Sequence, residues 1–398
     1  MNFDTQSFMR VRGVTLVELM IAMVISLIVM IGVATVYATS KRAYKVQEEM
    51  SRLQENARFA FEDLTRNLRQ AGYYGSTPTV KSFLQNSTSE SFNLNAGVSG
   101  FEFRGTAPGA SYTITSLSNT GAAGDWTAVD GDDSDSSPDN LPGWLSGKVL
   151  SGNDVIRVVY ATSTGGACQI NGAAFNGTAA ALPLNGSCNI SKGSLVFVSD
   201  GLNTNLFQNV ANNNASTLSR GVATGTLAPG NISPSSDSWS VKCETNGCTA
   251  LEAAQYAYYI GRGASGEPAL FRADLSQGTG TNEIRYQELV EGVENMQILY
   301  GIDTNPTDDN FQPNRYVTAD NPVLQFDNVV AVRISLLLRT PQELNRNPAA
   351  GTFRLLGVEN STGVDITTLA DRRIHKIFTT TIHLRNKALY RRDFKAEL

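Results

Sequence analysis

Residues 12–41 read RGVTLVELMIAMVISLIVMIGVATVYATSK. Between Arg12 and Lys41 the only charge is Glu18, and residues 19–40 carry none. As a helix, 14–38 would measure about 37 Å, enough to cross a hydrocarbon core of ~30 Å. The apolar run is too long for an ordinary cleaved secretory signal, and it passes into a second helical pattern without turn residues. A carboxylate near the end of such a segment is costly. It could snorkel to the interface, serve an intramembrane proton or ion relay, or pair with a positive charge at the same depth. The residues before it favour the last reading. A cut after Gly13 would give Val14 a new α-amino group one helical turn from Glu18, and an amine and a carboxylate buried together neutralise each other.

The second pattern runs from about Tyr44 to Ala71. Val46, Met50, Leu53, Ala57, Ala60, Leu64, Leu68 and Ala71 recur at spacings of three and four, one face of a helix. Lys45, Glu48, Glu49, Arg52, Glu55, Arg58, Glu62, Arg66 and Arg69 occupy the other faces. Gly72 supplies a stop. One continuous helix of about 58 residues, about 87 Å long, is expected. A coiled coil would need more heptads, and a large domain follows directly.

Gly13–Val14–Thr15–Leu16–Val17–Glu18 resembles the processing site of type IV pilins and type II secretion pseudopilins. The resemblance implies that Gly13 ends a leader, 1–13, removed by a prepilin peptidase. It implies that the amine of Val14 is then methylated and that Glu18 pairs with a neighbouring subunit's amine during assembly. Val14 departs from the family's usual Phe, as in some minor members. The stretches 52–75, 288–303, 328–340 and 372–386 are similar to PilW-type minor pilins. This implies a low-abundance component that joins other minor pilins and the major pilin and primes assembly, at the pilus tip. It would sit in the inner membrane as a single-pass protein with a periplasmic head, then on the cell surface after assembly, in a fibre used for adhesion and twitching. Basic residues flank the apolar run on both sides (Arg10, Arg12; Lys41, Arg42, Lys45), so charge alone does not orient it.

The rest of the chain reads as β-rich. DVIRVVYA in 151–161, LVFV in 192–201, QYAYYIGR (255–262) and PALFRADL (268–275) are strand signals, the last two at hairpin distance. VVAVRISLLLR places Val330, Val332, Ile334, Leu336 and Leu338 on one face, with Arg333, Ser335 and Arg339 opposite. KIFTTTIHL places Phe378, Thr380, Ile382 and Leu384 together. Such alternation predicts an antiparallel sheet covered on one side, with helix 41–72 as the cover. The expected fold class is α+β: a stem helix (14–40, then 41–72) packed on an antiparallel head, 73–398. The head divides into a variable, loop-rich 76–270 and a PilW-like sheet, 284–398. The Asn/Ser/Thr-rich stretch 203–240, low in apolar residues, is expected to be a long loop.

Net charge is −5, which argues against a nucleic-acid partner. The four cysteines, Cys168, Cys188, Cys243 and Cys248, suggest disulfides in an exported protein. Sequence proximity favours 168–188 with 243–248 among three connectivities. With no CxxC, and both histidines far downstream, zinc is disfavoured. His375 and His383 are expected on the final strand, with no acidic partner implied. Asp303, Asn305 and Asp309 (with Thr307) have alternate-ligand spacing for calcium, but no Gly at position six and no closing Glu; a solvated turn is the better reading, as for the acidic 130–135. No HExxH, GxSxG or Walker A occurs, so no catalysis and no cofactor are expected. Two alternatives stay open beside a pilus-assembly component: a type II secretion pseudopilin, and a tip adhesin.

Overall fold

The computed structural model describes residues 13–75, 80–85, 96–129, 139–163, 167–222, 229–275, 284–305, 311–344, 347–357 and 362–386. The chain divides into two units, Met1–Arg52 and Leu53–Leu398. Helix α1, Leu16–Leu68, supplies residues to both. Within the first unit residues 13–45 are exposed. The hydroxyls of Ser26, Thr35 and Thr39 donate to the carbonyls of Ala22, Gly32 and Thr35. These few polar side chains thus stay satisfied inside the helix, as an apolar medium requires. Among the described residues this is the one helix long and apolar enough to cross a membrane.

In the second unit α1 buries Leu53, Ala57, Ala60, Leu64 and Leu68, the face expected from spacing. The helix ends at Leu68 and turns through residues 69–72, so it is 53 residues long and shorter than expected. Gly72 has φ 77°, a left-handed value that stops a helix at little steric cost.

A large sheet contains β1 (Val98–Phe103), β2 (Val155–Thr162), β3 (Leu195–Ser199), β4 (Thr204–Gln208), β5 (Thr249–Arg262), β6 (Pro268–Asp274) and β7 (Arg285–Glu291). The long β5 pairs antiparallel with β3 at 249–252, with β2 at 252–258 and with β6 at 256–262. A second, antiparallel sheet follows: β8 (Val293–Ile302), β9 (Arg315–Val317), β10 (Val329–Arg339) and β11 (His375–His383), in the order β9-β8-β10-β11. Tyr258 and Ile260 of β5, Met296 and Ile298 of β8, and Ile334 and Leu336 of β10 share one core with the buried face of α1.

Two expectations need correction. First, β10 is not covered on one side only. A small sheet of Ser111–Thr113, Thr352–Leu355 and Val364–Thr367 supplies residues to a core with Leu299, Leu337 and Ile377 on its other side. Ser335 is therefore fully buried, and its hydroxyl accepts from the Leu356 N–H and bonds Thr379. Second, much of 203–240 is folded. β4 lies in the large sheet and Thr217–Ser219 pairs with Ala181–Pro183. Several of its buried polar side chains bond backbone groups. Asn205 accepts from the Ser240 and Val241 N–H groups. Gln208 donates to the Gly193 carbonyl, and Asn231 exchanges bonds with the Gln208 backbone. Arg220 stacks on Phe83 and Trp239 at 4.2 and 4.7 Å. A polar composition reads as a loop only when nothing offsets the desolvation of its amides, and here backbone groups do so.

Candidate functional site

At the start of the stem, Gly13 and Val14 are exposed and precede the helix. The Glu18 N–H donates to the Thr15 hydroxyl at 3.2 Å, and the Glu18 carboxylate accepts from both the N–H and the hydroxyl of Thr15 at 3.2 Å. This is a reciprocal cap on the first turn. The carboxylate therefore sits at the positive end of the helix dipole, held by its own chain. The signal was present in the sequence as Thr-x-x-Glu before an apolar run, and reading Glu18 only as a membrane charge passes over it.

A second polar group ties α1 to the large sheet. Asp63 accepts from the Tyr258 hydroxyl at 2.8 Å and from Arg272 at 3.2 and 3.3 Å, and it also pairs with Arg66. Asn67 donates to Tyr258 at 2.6 Å and accepts from the Tyr160 hydroxyl at 2.7 Å. Burial first, and the Asp63 charge second, push the Tyr258 phenol well above its usual range. Helical spacing of apolar residues could not reveal this group, because Asp63 and Asn67 are polar yet buried. At the helix end, the Asn386 side-chain amide lies within 3.0–3.4 Å of the carbonyls of Arg69, Gln70 and Ala71. It satisfies acceptors that a helix terminus leaves open.

A third group joins the two sheets. One Asp154 oxygen accepts from the Phe103 N–H of β1 at 3.1 Å, the other from the Ile298 N–H of β8 at 2.8 Å. Its carboxyl also meets that of Glu102, and both are buried. Burial raises Asp154 to about 8, against the lowering effect of its two backbone donors. Burial, and then the Asp154 charge, hold Glu102 well above the carboxylate range. Next door, Asn153 accepts from the Met296 N–H, and the Gly152 carbonyl accepts from Asn295 and Gln297. The turn at 151–154, just ahead of β2, is thus a polar clamp on β8.

His375 and His383 bound the final strand, as expected, but His375 is not without an acidic partner. Its Nε2 lies 2.8 Å from Glu294 and 3.9 Å from Asp371. Arg339 and Arg373 both pair with Glu267 beside it. The partner was invisible because Glu294 lies 81 residues earlier, on β8, and only strand pairing brings it near.

The cysteines form Cys168–Cys188 and Cys243–Cys248, within one core that also holds Phe207 and Trp239. Asp303 accepts from the Asn305 N–H at 3.0 Å, a local turn bond. Asp309, Thr307 and the acidic 130–135 lie outside the described residues.

Residues 257–386 match the family model described as Type IV Pilus-assembly protein W, and residues 8–34 match the prokaryotic N-terminal methylation motif. No curated protein and no solved structure matches the chain. The first match runs from the middle of β5 through β11 and ends at Asn386, so it contains Tyr258, Arg272 and Asn386, the residues that hold the end of α1. A methylation motif on an apolar helix, and at the other end the sheet that receives that helix, mark the chain as a type IV pilin-like protein of the PilW type, with a role in type IV pilus assembly.

Proposed function

We propose that this protein is a minor pilin that primes pilus assembly at the tip and performs no catalysis. The leader is cut between Gly13 and Val14 by the prepilin peptidase, and the new amine of Val14 is methylated. The stem then leaves the inner membrane for a bundle of neighbouring stems, while the head, periplasmic before assembly, contacts other minor pilins and the major pilin. Glu18 offsets a neighbour's N-terminal charge in that apolar bundle. The observation that carries this reading is a single carboxylate in the otherwise uncharged run 14–40, in the first turn of α1 and inside the methylation motif. The disulfide-bonded head supports an oxidising, extracytoplasmic setting.

The test is the mass of the mature chain from cells with and without the peptidase, combined with Glu18→Ala. The expected results are a methylated Val14 terminus only when the peptidase is present, and a Glu18→Ala chain that is processed normally but no longer supports piliation. Retention of residues 1–13 in peptidase-positive cells, or normal piliation with Glu18→Ala, would overturn it.

A further inference from the structure

Strand β11 is the edge of its sheet, and among the described residues no strand pairs with its outer side. Two backbone bonds fix the phase of the ladder: the Leu384 N–H donates to Val330, and the Thr340 N–H donates to Ile374. With the register of β10 and β11, even-numbered residues of β11 turn their backbone groups toward β10. The N–H and C=O groups of Ile377, Thr379 and Thr381 therefore point outward, a template for another strand about 30 Å long.

Beside this edge runs an open groove of about 870 Å³ between β11 and the outer flank of α1. Ala57, Phe61 and Phe378 give it an apolar floor. Arg58, Arg66 and Arg69 stand along its helical wall against one carboxylate, Glu62. Arg66 is engaged by Asp63, whereas the side chains of Arg58 and Arg69 are exposed and make no ion pair among the described residues. An unpaired backbone edge, an apolar floor and a basic rim are the three features an extended, carboxylate-bearing segment would satisfy at once.

We propose that β11 receives an extended acidic segment of a partner pilus subunit, which adds as a further strand of this sheet beneath the arginine rim of α1. The identity of the partner as a pilus subunit rests on the assembly reading; strand addition at this edge does not.

The test places the photo-crosslinking residue benzoylphenylalanine at Glu62 of the full-length chain in cells, with the adduct mapped by peptide mass. The expected adduct is a carboxylate-rich, non-helical segment of another pilin-like subunit. Its yield should fall about tenfold in Arg58→Glu/Arg69→Glu, where like charges face each other. It should survive Arg58→Lys/Arg69→Lys. It should also fall in Thr379→Pro, which removes an outward N–H and the hydroxyl bond to Ser335 but leaves the backbone bonds to β10 in place. No adduct, an adduct indifferent to the charge reversal, one mapping to a helical stem, or one mapping to β11 of a second copy would each overturn the proposal. If Glu18→Ala leaves piliation normal, the assembly reading fails by itself, and a charge-sensitive adduct still supports strand addition.

Discussion

Thr15 and Glu18 hold each other through three bonds in the first turn of the stem. For Glu18 to meet a neighbour's amine, its carboxylate must keep or exchange these bonds, so Thr15 sets where the charge waits. Thr15→Val should remove the cap at a cost of about 1 kcal/mol to the first turn. Faster amide exchange of residues 16–19 in detergent micelles would show this, with Thr15→Ser restoring protection; equal exchange in all three chains would refute the cap. Asp63 carries a different weight. It is buried beside Arg272 and Tyr258. Asp63→Ala leaves a guanidinium and a phenol without their acceptor and should cost roughly 2–4 kcal/mol. A lowered urea midpoint reads that loss, and Asp63→Asn, which keeps an acceptor for Tyr258, should lose less.

At the scale of elements, residues 53–68 of α1 are held to the head by an apolar stripe and by polar bonds at the helix end. The stripe alone would allow the helix to slide by a turn, because residues three and four apart are alike on that face. Asn67 bonded to Tyr160 and Tyr258, and Asn386 on the last carbonyls, allow one register. Asn386→Ala should therefore leave the sheets intact and loosen residues 66–72, seen as selective loss of amide protection there. The disulfides act on another element, the lobe around Phe207 and Trp239. Cys168–Cys188 closes a separation of 20 residues, so losing it should cost about 3 kcal/mol on chain-entropy grounds. Under a reductant, proteolysis should open 167–222 before the sheet that carries β8 and β10; simultaneous cleavage of both would count against an independent lobe.

For the whole molecule, stability at the joint between the two sheets should depend on pH. Asp154 and Glu102 both have folded-state pKa values raised by burial, Asp154 to about 8. A raised acid favours folding in its protonated form. The stability it contributes is fully present below the ordinary carboxylate range near 4 and is lost as pH climbs toward 8. The head should lose stability on the order of 3 kcal/mol between pH 5 and 8, since each tenfold change in proton affinity between the folded and unfolded chain is worth about 1.4 kcal/mol. Glu102→Gln should flatten that slope, because it removes one of the two charges and leaves both Asp154 acceptors in place. Urea midpoints across pH check it, and an unchanged slope in the variant would sink the assignment.

The stem, its single carboxylate, the buried stripe of α1 and the strands of the C-terminal sheet were legible in the sequence. Periodicity and the exclusion of charge from lipid act over a few residues, and neighbours in the chain report them. The favoured cysteine pairs also lie close in sequence, and short loops close readily. The Thr15–Glu18 cap was equally local and was there to be read. The joints of the head were not. Asp63 with Tyr258 and Arg272, Asp154 with Phe103 and Ile298, and His375 with Glu294 join residues far apart in the chain. Whether a polar side chain is solvated or buried depends on which backbone the fold brings against it, and only tertiary packing decides that. For the same reason a polar stretch read as a loop supplied β4, and a strand read as half-exposed lies between two layers.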